Sequence, residues 1–188
     1  MNREEAWELV HGRLGDGATT AHCLATEACM RALAARLDGD ADLWGVTGLV
    51  HDLDLDECDG DPERHALVGA KVLEDHGAPE EMILAVLGHN NKAPRESLMA
   101  RALWVVDPTT GFITASALIR PSKSTRDLKI KSVKKRMKDK RFAAAVNRDQ
   151  IRACEEQLGI PLDDFLTICL EAMDGIRDSI GLGGQAGG

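Results

Sequence analysis

The stretch Gly48-Leu-Val-His51-Asp52-Leu-Asp54-Leu-Asp56 sets an imidazole beside a carboxylate at the end of an apolar run. An ionised carboxylate taken out of water without a partner costs several kcal/mol, so any fold this chain adopts must bring a counter-charge to that point. A divalent metal ion is one answer, because His nitrogen and Asp oxygen are ordinary ligands for first-row metals. An Asp that caps a turn beside an incidental His is the other, since matches this short arise by chance. The dipeptide alone does not decide between them.

The surrounding pattern is helical. Apolar residues recur at spacings of three and four and no run alternates as a strand would, which predicts an all-α fold. Asn2 is placed to cap a helix to about Leu14, with Glu5 in the reciprocal position. A second helix covers about Thr19 to Leu37 with His22 on its apolar stripe, and Asp40 or Asp42 caps a third that leads into His51. An acidic loop over 54–61 follows. Pro62 opens a fourth helix that carries His65 and ends at Gly77, Pro79 opens a fifth that carries His89, and a sixth begins near Glu96 and carries Asp107. Pro108 predicts a kink or break at Asp107, with helix resuming to Ile119, because proline has no N–H and disfavours helix in the residue before it. Ile130, Val133 and Met137 suggest a short helix with a thin apolar stripe. Asn147 caps another to Gly159 with Gln150 in the capping-box position, and the last runs from Leu162 to about Ile180.

No repeat or linker divides the chain. It reads as one domain over 1–180, with a core at about 18–120, a basic segment at 120–141, C-terminal helices over 147–180 and a flexible glycine-rich tail over 181–188. Aromatic residues make up 3% and Tyr is absent, which argues against modules that stack nucleic-acid bases on exposed rings. The cysteines at 23, 29, 58, 154 and 169 are odd in number and form no CxxC pair, as expected of reduced thiols in a cytoplasmic protein. The N-terminus lacks the basic and apolar regions of a signal peptide. The most apolar run, 102–119, contains Asp107, Pro108 and Gly111 and so reads as core, with no membrane span expected. The net charge of −8 is uneven: residues 120–141 hold eleven Lys or Arg against Asp127 and Asp139, a local +9, which leaves −17 for the rest. An acidic body with one basic segment suggests that the segment either meets an anion or is a solvated face.

Four histidines (22, 51, 65 and 89) and two aspartates (52 and 107) fall on the inner faces of five separate helical patterns. Any one of them is an ordinary core polar group, but six converging ones call for a shared ligand. His11 and His76 sit near helix ends, where an imidazole beside the negative end of the helix dipole is unremarkable, and they are assigned no chemical role.

His22, then Gly-Leu-Val-His51-Asp52, then His65-Ala-Leu-Val-Gly-Ala, then Gly-His89-Asn-Asn, then Val-Val-Asp107 resembles the H…HD…H…H…D pattern of the HD-domain (HDIG-type) metal-dependent phosphohydrolases. The resemblance covers about residues 18 to 120, and the whole length looks most like small bacterial HD proteins of unassigned substrate. It implies a helical bundle with His22, His51, Asp52 and Asp107 around one metal, and His65 and His89 holding a second with Asp52 bridging. The ligand order is similar to that of small HD hydrolases that split dinucleoside tetraphosphates. No second His stands beside His89, unlike the branch that hydrolyses cyclic di-GMP, and Asp54, Asp56 and Glu57 only approximate the acidic positions of alarmone hydrolases.

Two metals about 3.5–4 Å apart clamp the attacking and leaving oxygens of a phosphoryl transfer and lower the pKa of bound water toward about 7, which supplies a hydroxide nucleophile. The cofactor expected is one or two divalent transition ions, with Fe, Mn, Co, Ni and Zn all compatible with the ligand types. Asp52 as bridging ligand and Asp54 as proton donor to the leaving oxygen are the candidate catalytic residues, with Asp56 and Glu57 as alternatives and a solvated acidic loop as the plain reading. Lys92 and Arg95 are candidates to hold a substrate phosphate. The expected activity is hydrolysis of a nucleotide or related phosphate ester. The competing reading is a non-catalytic metal-binding signalling module, or one that grips nucleic acid or a protein partner through 120–141.

Overall fold

The computed structural model describes residues 1–184. Among these, eleven helices follow one another: α1 (Arg3–Leu14), α2 (Ala18–Arg36), α3 (Ala41–Val50), α4 (Leu55–Cys58), α5 (Leu67–Asp75), α6 (Glu80–His89), α7 (Leu98–Leu118), α8 (Ile130–Arg136), α9 (Arg148–Arg152), α10 (Cys154–Leu158) and α11 (Leu162–Gly175). The only β-pairing among the described residues is an isolated bridge between Ser124 and Gly183. The fold is all-α, as the periodicity predicts. Among the described residues no helix is long and apolar enough to cross a membrane.

Side-chain caps set several of these boundaries. Asn2 accepts from the backbone of Glu5 and the Glu5 carboxylate accepts from the backbone of Asn2, which closes the capping box. Asp40 accepts from the N–H groups of Asp42 and Leu43, and Ser97 accepts from that of Ala100. Two apolar clusters form the interior. One gathers Met30, Leu33, Leu103, Val106, Phe112, Phe165 and Leu166 from α2, α7 and α11. The other gathers Ala6, Val10, Val46, Leu49, Leu73, Met82 and Val86 from α1, α3, α5 and α6. Helix α2 serves both, and α3 packs tightly on it at Gly48, where an added Cβ would come within 2.9 Å of the Thr26 carbonyl oxygen.

Helix α7 corrects the expected interruption at Asp107, because it runs unbroken through Pro108. Pro108 has no N–H for the carbonyl of Trp104 four residues earlier, which would leave that acceptor orphaned in a helix interior. The side-chain amide of Gln150 donates to it instead. Gln150 therefore does not close a capping box at Asn147: its backbone N–H donates to the Asn147 side chain while its own side chain repairs α7. The expected single helix to Gly159 is divided into α9 and α10. We expect Gln150→Ala to destabilise the protein by about 1–2 kcal/mol, the range for losing a hydrogen bond and stranding its partner. In a Pro108→Ala background, where residue 108 regains its N–H, the same change is expected to cost close to nothing. Equal costs in the two backgrounds by denaturant unfolding would show that the amide does not substitute for the missing donor.

The C-terminus also departs from expectation. Helix α11 ends at Gly175 and turns carry the chain to residue 181. Residues 181–184, expected to open a flexible tail, pack: Leu182 is buried, its carbonyl accepts from the Thr125 N–H at 3.3 Å, and Gly183 pairs with Ser124. The remainder of that expected tail, 185–188, lies outside the described residues.

Candidate metal centre

The six expected ligands arrive from separate elements and meet between the two apolar clusters. His22 lies in the second turn of α2, His51 and Asp52 just beyond α3, His65 in the turn before α5, His89 at the end of α6, and Asp107 midway along α7. Two groups form, His22/His51/Asp107 and Asp52/His65/His89, and within each group the offered ligand atoms lie within 4.8 Å of one another. Asp52 stands between the groups. Its Oδ2 is 3.5 Å from His22 Nε2, and its Oδ1 is 3.4, 3.3 and 3.4 Å from the Nε2 atoms of His51, His65 and His89. His22 Nε2 is 3.2 Å from Asp107 Oδ1.

The far nitrogen of each ring is tied down. His51 Nδ1 donates to the Gly48 carbonyl at 2.8 Å and His89 Nδ1 to that of Val86. His65 Nδ1 donates to Asp54 Oδ1 at 2.8 Å. The Thr110 hydroxyl gives its proton to the Asp107 carbonyl at 2.9 Å, so its oxygen accepts from His22 Nδ1 at 3.1 Å. Each ring thus carries a proton on Nδ1 and turns Nε2 inward, the orientation that second-sphere bonds impose on metal-binding histidines.

That arrangement creates a conflict that a cation resolves. His22 Nε2 faces His51 Nε2 at 3.2 Å, and His65 Nε2 faces His89 Nε2 at 3.1 Å. In neutral rings these contacts set lone pair against lone pair. Ligand atoms around one ion at bond lengths of about 2.1 Å lie about 3.0–3.4 Å apart, so both pairs have the spacing of neighbours in one coordination sphere. The residues present therefore fit a divalent ion in each group. Protons are the competitors. Burial would depress the imidazole of His65, but its bonds to Asp52 and Asp54 outweigh burial and push it up to about 9. Burial likewise opposes protonation of His51, and the Asp52 carboxylate overrides it to hold His51 well above its ordinary value. Burial would raise the carboxyls of Asp52 and Asp107, but the surrounding imidazoles hold both well below the usual range.

The turn carrying His65 differs from the expected helix starting at Pro62, and the reason lies in this site. Ala66 takes a left-handed conformation at φ +70° and helix begins only at Leu67. The Gly69 N–H, which a helix would give to the His65 carbonyl, goes to Asp54 Oδ2 at 2.7 Å. Asn90 Nδ2 then satisfies the carbonyls of Pro62 and His65 at 3.1 and 3.0 Å. Asp54, expected in an exposed acidic loop and as proton donor, is instead fully buried with both oxygens engaged behind His65. Asp56 is exposed, and Glu57 pairs with Arg13 at 2.8 Å. Replacing Asp54 with asparagine leaves one acceptor for two donors. We expect metal affinity to fall by about 10–100-fold, the usual effect of losing a partner behind a ligand. Unchanged affinity by competitive chelator titration would remove Asp54 from the site.

The expected phosphate binders are committed elsewhere. Arg95 donates to the Gly88 carbonyl and the Asn91 side chain and stacks on Trp104 at 4.4 Å, while Lys92 pairs with Glu63 at 3.0 Å. In the basic segment Lys134 pairs with Asp163 and Arg136 faces the Phe142 ring. His11 pairs with Asp16 and His76 bonds the Val72 carbonyl, both away from the centre. Sequence reasoning did not single out Thr110 or Asn90. The signals were present in their positions, three residues after Asp107 and one after His89.

Comparison with known proteins adds family information to this geometry. The sequence profile of the HD domain matches residues 19–146. A 71-residue stretch is 32% identical to a protein named Ribonuclease Y from Mycoplasma genitalium, covering 38% of this chain and 15% of that protein. The chain therefore spans a small part of that relative's length. No solved structure matches.

Proposed function

The chain belongs to the HD domain family, and on that premise we propose that it is a divalent-metal-dependent phosphohydrolase acting on a nucleotide or related phosphate ester. The observation that carries the proposal is the pair of opposed Nε2 contacts, each fixed from behind and spaced as neighbours in one coordination sphere, with protons as the competing occupants. When bound, divalent ions supply positive charge to the phosphoryl oxygens and an activated water. The chain's own residues do the rest. Asp52 is the shared carboxylate, within 3.5 Å of four imidazoles. Gly48, Val86, Asp54 and Thr110 hold the four rings in one tautomer. The side chains of His22 and Asp107 are 22% and 29% exposed, whereas those of His51 and His89 are at 0% and 2%, so the phosphoryl group approaches from the His22/Asp107 side. Asp54 positions His65 and leaves delivery of the leaving-group proton to another donor.

The test combines elemental analysis of protein expressed with Mn, Fe, Co, Ni or Zn and a substrate panel of nucleotides, dinucleoside polyphosphates and short RNA. Between about one and two equivalents of metal and hydrolysis abolished by chelation are expected. The RNA arm is included because the similar Mycoplasma protein is named a ribonuclease and residues 120–141 are basic. Metal content below roughly a tenth of an equivalent after supplementation would leave a non-catalytic binding module as the better reading.

A further inference from the structure

A cleft of about 200 Å³ shares His22 with the centre and is otherwise lined by Ala18, Ala21, Gly111, Thr114, Leu118 and the C-terminal turn Ile180–Leu182. Resting on the phosphohydrolase reading, we propose that this cleft takes the uncharged organic group of the phosphate ester, a single ring in size, and so sets substrate choice. Three observations meet here. First, His22 both lines the cleft and turns its Nε2 to Asp107 and Asp52, so the cleft and the centre meet at one ring. Second, the walls are aliphatic, with the Thr114 hydroxyl and the His22 ring as polar groups, and no Lys, Arg, Asp or Glu lines them. Such a surface desolvates an apolar ring and repels a second phosphate. Third, Gly111 sits inside α7, one turn beyond Asp107 and on the same face, where glycine costs the helix about 1 kcal/mol relative to alanine. No protein contact requires it, since a Cβ built there meets nothing within 4 Å. The space kept clear at Gly111 belongs to the cleft.

The far wall is built by the segment that composition marks as a tail. The bond from Thr125 to the Leu182 carbonyl, the bridge between Ser124 and Gly183, and the bond from the Leu182 N–H to the Arg177 carbonyl at 2.7 Å hold that turn against α2 and α7. The start of the basic segment thus serves the cleft as a clamp and contributes no charge to its lining.

Gly111→Leu fills the cleft without displacing protein atoms at Cβ, and Gly111→Ala does so partly while favouring helix. Mn²⁺-loaded wild type, G111A and G111L are titrated calorimetrically with methylphosphonate and phenylphosphonate, which resist hydrolysis and differ only in the ring. Wild type is expected to bind phenylphosphonate about tenfold or more tightly than methylphosphonate, the scale of burying a ring's apolar surface. G111L is expected to bring that ratio to near one at unchanged metal content, with G111A between them and melting no lower than wild type. If G111L does not fold, G111A decides. A wild-type ratio near one, or a ratio unchanged by either substitution, overturns the cleft while leaving the phosphohydrolase reading standing. Metal-loaded protein that binds neither phosphonate overturns both.

Discussion

Asp52→Asn is expected to be the most damaging single substitution in this chain, lowering kcat/KM by about a thousandfold or more, equivalent to about 4 kcal/mol of transition-state stabilisation. The reason is its position. Asp52 stands within 3.5 Å of the Nε2 atoms of all four candidate ligand histidines, with Oδ2 facing His22 and Oδ1 facing His51, His65 and His89, so one carboxylate reaches both groups. An asparagine of the same shape keeps one carbonyl oxygen, brings no charge, and turns an amide N–H₂ toward inward-facing lone pairs or a bound cation. Metal content measured on the same samples is expected to fall with activity, while Asp107→Asn, which removes a ligand from one group only, loses less. His11→Gln is the control, since His11 pairs with Asp16 on the surface. Full metal and activity in Asp52→Asn with loss in His11→Gln would show that the inner-face assignment is wrong.

The inner faces were legible because helical spacing is a geometric rule. His22 and Asp107 fall on the apolar stripes of their helices by simple periodicity, and a run of polar groups on apolar stripes stands out against that rule. What was not legible were exchanges of backbone partners. Pro108 reads as a helix breaker because the sequence does not show that Gln150, 42 positions later, reaches the orphaned Trp104 carbonyl. Asp54 reads as one more acid in a run with Asp56 and Glu57. Only the fold shows that it replaces the His65 carbonyl as acceptor for Gly69 while Asn90 serves the carbonyl left behind. Glycine-rich composition suggested freedom at Gly181 and Gly183, yet the single apolar residue between them, Leu182, is enough to seat that turn. In each case the missing information is a tertiary partner, which local propensity does not encode.

The second large effect is an opposite response of metal-free and metal-loaded protein to alkali. In the metal-free protein, the folded pKa of His65 is raised to about 9 by Asp52 and Asp54 acting against burial. A group whose folded pKa exceeds its unfolded value contributes stability that is fully present below the unfolded pKa, about 6.5, and is lost as pH rises through the folded one. His51, held well above its ordinary value, adds in the same direction. The metal-free melting temperature is therefore expected to fall between about pH 6.5 and 9.5, by roughly 2–4 °C for each kcal/mol lost in a chain of this size. Metal loading reverses the sign, because an ion must displace the same protons: apparent affinity climbs with pH up to about 9, and the stabilisation it confers climbs with it. Melting curves recorded with chelator and with saturating Mn²⁺ at half-unit steps are expected to diverge steadily across this window. Curves that stay parallel, or a metal-free protein that gains stability toward pH 9, would mean that the inward-facing imidazoles share no cation of either kind, and the metal centre would have to be abandoned with them.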